Sequence, residues 1–157
     1  MSGVYTVDIP NTAVTAAVDL AELVGHAARP FVLLEVHVSQ ITEIQDAQME
    51  MLQIALKSGQ TTSGSGGSTV TPTNNEQPGG AAAGFTVEVM NTTKASAGTI
   101  VTHDKWNWNV LGPLDVIFTD ENKKLMGAGR RLTLELVGAP ADSITIGGYL
   151  VVQEIGS

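Results

Sequence analysis

Along most of the chain, apolar residues alternate with polar or small ones at a period of two, the spacing that puts successive side chains on opposite faces of a strand. Val4-Tyr5-Thr6-Val7-Asp8-Ile9 begins this way, and the run from Val14 to Val24 keeps closer to a period of two than to that of a helix. Phe31-Val32-Leu33-Leu34-Glu35-Val36-His37-Val38 follows Pro30 and is dense in β-branched and bulky residues, which predicts a central strand with both faces covered. Between Ile41 and Lys57 the pattern divides. Asp46 to Leu52 has helix-forming composition, whereas Leu52, Ile54 and Leu56 alternate with Gln53 and Ala55. This predicts a turn or short helical fragment around Glu43 to Ala47, then a strand.

Further on, Phe85 to Met90 alternates, and a turn through Asn91 to Gly98 leads to strands at Thr99 to Thr102 and Trp106 to Val110. Gly112-Pro113 interrupts the chain before Leu114 to Phe118, and Thr119 to Gly129 reads as a polar connection. Arg130 to Val137 alternates Leu132, Leu134 and Leu136 with Thr133 and Glu135; after a turn through Gly138 to Asp142, Ser143 to Ile155 supplies a last strand. About eight to ten short strands with Gly/Pro turns predict an all-β fold, an antiparallel β-sandwich or jelly roll, and not the alternating strands and helices of an α/β protein.

Composition changes this picture in one place. From Ser58 to Gly84 the chain turns to Gly, Ser, Thr, Pro, Asn and Ala, with Glu76 its only charge, too little apolar surface for a core of its own. The 157 residues fit one β-sandwich domain over 1–157, with a long loop inserted at about 58–84. So long a loop is either an arm reaching a neighbouring subunit or a mobile surface loop.

The formal net charge of -8 argues against a phosphate-tracking surface, which needs clustered Lys and Arg. Only Lys123-Lys124 and Arg130-Arg131 come in pairs, as a solvated loop and a strand start would supply. With no cysteine there is neither a disulfide framework nor a thiolate metal site. Met1-Ser2-Gly3-Val4-Tyr5 has no basic segment followed by an apolar run, and no stretch has the length of a membrane span, so neither a secretion signal nor a membrane segment is expected.

The search for reactive chemistry returns little. His26, His37 and His103 lie far apart, and around His37 the His-x-His spacing of a cupin is absent, with Glu35 and Ser39 at the flanking positions. Ser63-Gly64-Ser65-Gly66-Gly67 is neither a nucleophile elbow nor a phosphate loop; it has a flexible-linker composition. Glu88, Asp104 and Asp115 carry no catalytic weight without geometry. Asn91-Thr92-Thr93 matches a glycosylation sequon that matters only on a secretory route. No catalytic residue, cofactor or metal is therefore expected. Trp106 and Trp108 share one face of a strand, where they could stack on a sugar; with so few aromatics in the chain, core packing or a subunit interface is the preferred reading.

Pro30 to Val38, Ile54 to Gly59, Thr61 to Pro72, Ala81 to Glu88, Asn91 to Ser96, Gly129 to Leu132, Ala139 to Ser143 and the terminal Glu154-Ile155-Gly156 are spread in order along nearly the whole chain. In that order they resemble a family of small phage proteins found among head and other virion structural genes. The resemblance implies a jelly-roll capsid decoration, or cement, protein: a non-enzymatic homotrimer on the capsid exterior, bound to the major capsid protein, with no nucleic-acid or membrane partner, assembled in the host bacterial cytoplasm. Candidate capsid or subunit contacts are Val4, Tyr5, Thr69, Val70, Thr71, Pro72, Trp106 and Trp108. The alternatives are a tail- or fibre-associated module binding a host surface glycan and a cupin-like enzyme.

Overall fold

The computed structural model describes residues 3–42 and 49–156. Twelve strands form two antiparallel sheets packed face to face, with no helix among the described residues, so the chain is a β-sandwich. The predicted fragment around Glu43 to Ala47 lies outside the described residues.

The first sheet holds β1 (Gly3–Val14), β3 (Phe31–Gln40), β6 (Thr73–Asn74), β9 (Leu114–Ile117), β10 (Lys124–Met126) and β12 (Ile144–Glu154). Its order is β10-β3-β12-β1-β6, with β9 also paired to β3. The second sheet holds β2 (Val18–Val24), β4 (Met51–Ser58), β5 (Ser68–Val70), β7 (Thr86–Asn91), β8 (Val101–Asn109) and β11 (Arg131–Leu136), ordered β5-β7-β2-β11-β4-β8.

Alternation explains the core. Tyr5, Val7 and Ile9 of β1, Leu33, Val36 and Val38 of β3, and Ile146, Leu150 and Val152 of β12 point inward from the first sheet. They meet Leu23, Ile54, Leu56, Val87, Val89, Leu132 and Leu134 of the second. Removing this apolar surface from water is the main force holding the layers together.

Several expectations need correction. β1 runs on through Pro10 to Val14 across a register shift between Ile9 and Thr12, and the predicted run from Val14 to Val24 breaks before β2. The strands predicted at Thr99 to Thr102 and Trp106 to Val110 are one strand, β8, whose pairing with β4 slips at His103, the residue between Thr102 and Asp104. β10 lies within the predicted polar connection. β3 is paired on both sides, but only Phe31 to Leu33 are buried on both faces; Glu35, His37 and Ser39 look outward from an uncovered sheet.

The segment read as a long inserted loop folds onto its own chain. It pairs through Thr62 with Ser96 and through Ser65 with Thr93, then forms β5 on β7. After Thr71-Pro72 it forms β6 on β1. It is a strap that crosses from the edge of one sheet to the edge of the other. Tyr5 Oη donates to Ala81 O at 3.2 Å, and the Tyr5 ring meets Phe85 edge-on at 5.6 Å, fastening the strap's end to the core. Glu154, almost fully buried, accepts from Gly84 N at 3.0 Å and pairs with Arg29 at 2.8 Å.

The opposite side is closed differently. Trp106 of β8 packs on Phe118 with ring centres 6.3 Å apart, Lys124 Nζ stands 5.3 Å from the Phe118 ring centre, and Lys124 pairs with Asp104 at 2.9 Å. The free edge of β8 carries Lys105 and the bulge at His103, two devices that discourage pairing with another strand.

Candidate functional site

The outer faces of the two sheets define where chemistry and contacts can occur. In the second sheet, register places Glu88, Glu22, Thr133 and Lys57 side by side across β7, β2, β11 and β4. A neighbouring row sets Asn91 beside Asp19 and Glu135. Asp19, Glu22, Asn91, Thr133 and Glu135 are nevertheless buried, because the strap and the turn after β7 lie over them.

Each buried acid has partners, as charge removed from water requires. Glu22 accepts from Ser63 Oγ at 2.8 Å, Gly64 N at 2.8 Å and Asn91 Nδ2 at 3.0 Å, and it faces the Arg131 guanidinium. Glu135 lies between Lys57 at 2.7 Å and Lys94 at 2.6 Å. Burial alone would raise its pKa, but the two ammonium groups outweigh that and hold it below the ordinary value. Asp19 accepts from Ala95 N at 2.7 Å, and its pKa is raised to about 6, chiefly by burial. The hydrogen bond from Ala95 opposes that rise, nearby Glu135 and Glu22 add to it, and Lys94 pulls it down a little.

The strap's glycines belong to this layer. A Cβ on Gly67 would stand 2.1 Å from Val89 O, and one on Gly64 2.7 Å from Asn91 Nδ2, so only glycine lets the strap lie this close. Asn91 of the sequon is fully buried and holds Glu22, Glu88 and Gly67. A polar cleft of about 300 Å³ opens where Gly59 to Thr61 meet Gly129 to Arg131. Arg131 is already engaged there by Glu22 and Gln60 O.

The first sheet has no such cover. Its outward rows run Asp115, His37, Tyr149, Asp8 across β9, β3, β12 and β1, and Ile117, Glu35, Val151, Thr6 beside them. His37 Nδ1 lies 2.7 Å from Asp115 Oδ1, His37 Nε2 lies 2.9 Å from Glu35 Oε2, and the ring stacks on Tyr149 at 4.3 Å. Burial acts to lower the His37 pKa; the hydrogen bonds and charges of Asp115 and Glu35 outweigh it and raise the pKa above its ordinary value. With each ring nitrogen bonded to a different carboxylate, His37 has no lone pair directed at a metal. Among the described residues, no cluster of three or more His, Cys, Asp or Glu is placed to hold a metal ion. Ile117 is 71% exposed, Leu125 60% and Tyr149 40%, large apolar groups in the open on or beside these rows.

The sequence-predicted contact residues do not form one site. Val4 sits on the open face beside Gln153, partly exposed. Tyr5 and Trp108 are corrections: both are buried, Tyr5 against Phe85 and Trp108 with Nε1–H donated to Gly112 O at 2.6 Å, so neither presents a surface. Thr69 and Thr71 are exposed and Val70 and Pro72 half-buried on the strap, while Trp106 is half-buried on the opposite side of the sandwich. The sequence reading missed the row of Asp8, His37, Asp115 and Tyr149. The polar alternation Glu35, His37, Ser39 was a signal for it, since it marks one face of β3 as solvated.

Comparison of the chain with protein-family models, with curated proteins and with solved structures finds no match in any of the three.

Proposed function

We propose that the protein is a non-enzymatic structural component of a phage virion: a jelly-roll decoration protein that binds the major capsid protein on the outside of the head, as a homotrimer, and stabilises the shell. The reading begins from the resemblance in the sequence. The observation that carries it further is the asymmetry of the sandwich. The strap covers the part of one outer face formed by β7, β2 and β11, whereas the outer face of the first sheet lies open across its strands, with Tyr149, Ile117 and Leu125 exposed, a surface available to a partner. A sandwich with a broad, partly apolar open face suits addition to a lattice, where docking adds stability by mass action.

The test mixes purified protein with capsids lacking it and sediments the particles, with light scattering of the free protein to weigh the subunit. Saturable pelleting and a threefold mass are the expected results; no pelleting at micromolar protein would remove the capsid assignment. A second reading, a tail- or fibre-associated module binding a host glycan, draws support from the Tyr149 ring set in a row with Asp8, His37 and Asp115, since aromatic faces and carboxylates are the groups that grip a sugar. Glycan-dependent shifts of the Tyr149 and His37 resonances would favour it.

A further inference from the structure

The charge of the molecule is unevenly compensated. Six of its eight cations are committed elsewhere: Lys57 and Lys94 to Glu135, Arg131 to Glu22, Arg29 to Glu154, Lys124 to Asp104 and Lys123 to Asp120. Lys105 lies on β8 and Arg130 beside β11, both in the second sheet's half of the molecule. Among the described residues, no lysine or arginine stands on the outward rows of the first sheet. Among the described residues, Glu35 and Asp115 there share the imidazole of His37, and Asp8 stands beside Tyr149 with no cation next to it.

We propose that the outer face of the first sheet docks a protein surface presenting lysine or arginine side chains beside apolar ones, the cations pairing with Asp8, Glu35 and Asp115. The row from Asp115 to Asp8 crosses three inter-strand gaps of about 4.8 Å each, so its carboxylates are about 14 Å apart. Glu35 lies on the adjacent row beside Ile117, which gives a partner apolar contact next to an acid. A second copy of the chain docked face to face would set these carboxylates against their own kind, a like-charge juxtaposition that disfavours binding. Nucleic acid and anionic lipid are disfavoured by the same charge. The chemistry stands whether or not the partner is a capsid.

Isotope-labelled full-length protein would be titrated with a synthetic peptide alternating lysine and leucine, with an alternating glutamate and leucine peptide as control. The expected result is saturable binding to the first alone, shifting the resonances of His37, Tyr149 and Ile117 and weakening with added salt. The triple variant D8N/E35Q/D115N should bind about tenfold more weakly or worse, and Ile117→Lys, at an exposed position that tolerates change, should do the same with an unaltered unfolding midpoint. Equal binding to both peptides, no saturable binding, shifts confined to other surfaces, or unchanged affinity in both variants would each overturn the proposal. Protein that pellets with capsids yet fails this titration would lose the partner chemistry and keep the virion role.

Discussion

Both sheets carry acidic side chains outward, and the molecule treats the two sets in opposite ways. On the second sheet, Asp19, Glu22 and Glu135 are buried beneath the strap and the turn after β7, each with donors or cations from the covering chain. On the first sheet, Asp8, Glu35 and Asp115 face the open with one imidazole among them. Where cover exists, acids act as fasteners, because buried charge must find partners within the fold. Where it does not, the same residue type leaves charge available to another molecule.

Four changes break or sharpen this contrast. The largest effect belongs to Glu22→Ala, which leaves the Gly64 amide and the Ser63 hydroxyl without their acceptor and takes one partner each from Arg131 and Asn91. It should cost about 3–5 kcal/mol in chemical denaturation and expose the amides of residues 63–67 to hydrogen exchange. Gly67→Ala should follow at about 1–3 kcal/mol, since the added methyl collides with the Val89 carbonyl.

Asp19→Asn reverses the sign. With its pKa raised to about 6 by folding, Asp19 favours the native state fully below its ordinary value of 3.8, and that contribution is lost as pH rises through about 6. The Asn variant should therefore be more stable than the parent by roughly 1–3 kcal/mol at pH 7, with the difference shrinking as pH falls from 6 towards 4. A variant less stable at pH 7 than at pH 4, relative to the parent, would contradict the assignment.

The smallest effect is on the open side, where Glu35→Gln and Asp115→Asn should each change stability by no more than about 0.5 kcal/mol. Their readout is His37. Its raised pKa means a stabilising contribution present below the ordinary value of 6.5 and lost as pH climbs through the folded value, and either substitution should move the NMR titration midpoint of the ring downward.

Strand positions were largely legible in the sequence because alternation and burial coincide: Phe85 to Met90, Arg130 to Val137 and the C-terminal strand lie where the pattern places them. Trp106 and Trp108 point inward together as their spacing requires. The strap was not legible, since Gly/Ser/Thr composition is shared by chains that move freely and by chains that must approach a surface too closely for a Cβ, as at Gly64 and Gly67. β5 and β6 are too short to announce themselves by periodicity. The row of Asp115, His37, Tyr149 and Asp8 was hidden for another reason: the alternation in β3 marks a solvated face, but the neighbours on it are set by the register of four strands from distant parts of the chain.

The path of the strap has a kinetic consequence. It is anchored on β7 at one end and on β1 at the other, strands of different sheets, so its complete path exists only after the two layers have come together. Completion of its docking is therefore expected late in folding. Weakening it should therefore leave the folding rate nearly unchanged while accelerating unfolding, so that this segment governs how long a folded molecule lasts and not how quickly it forms.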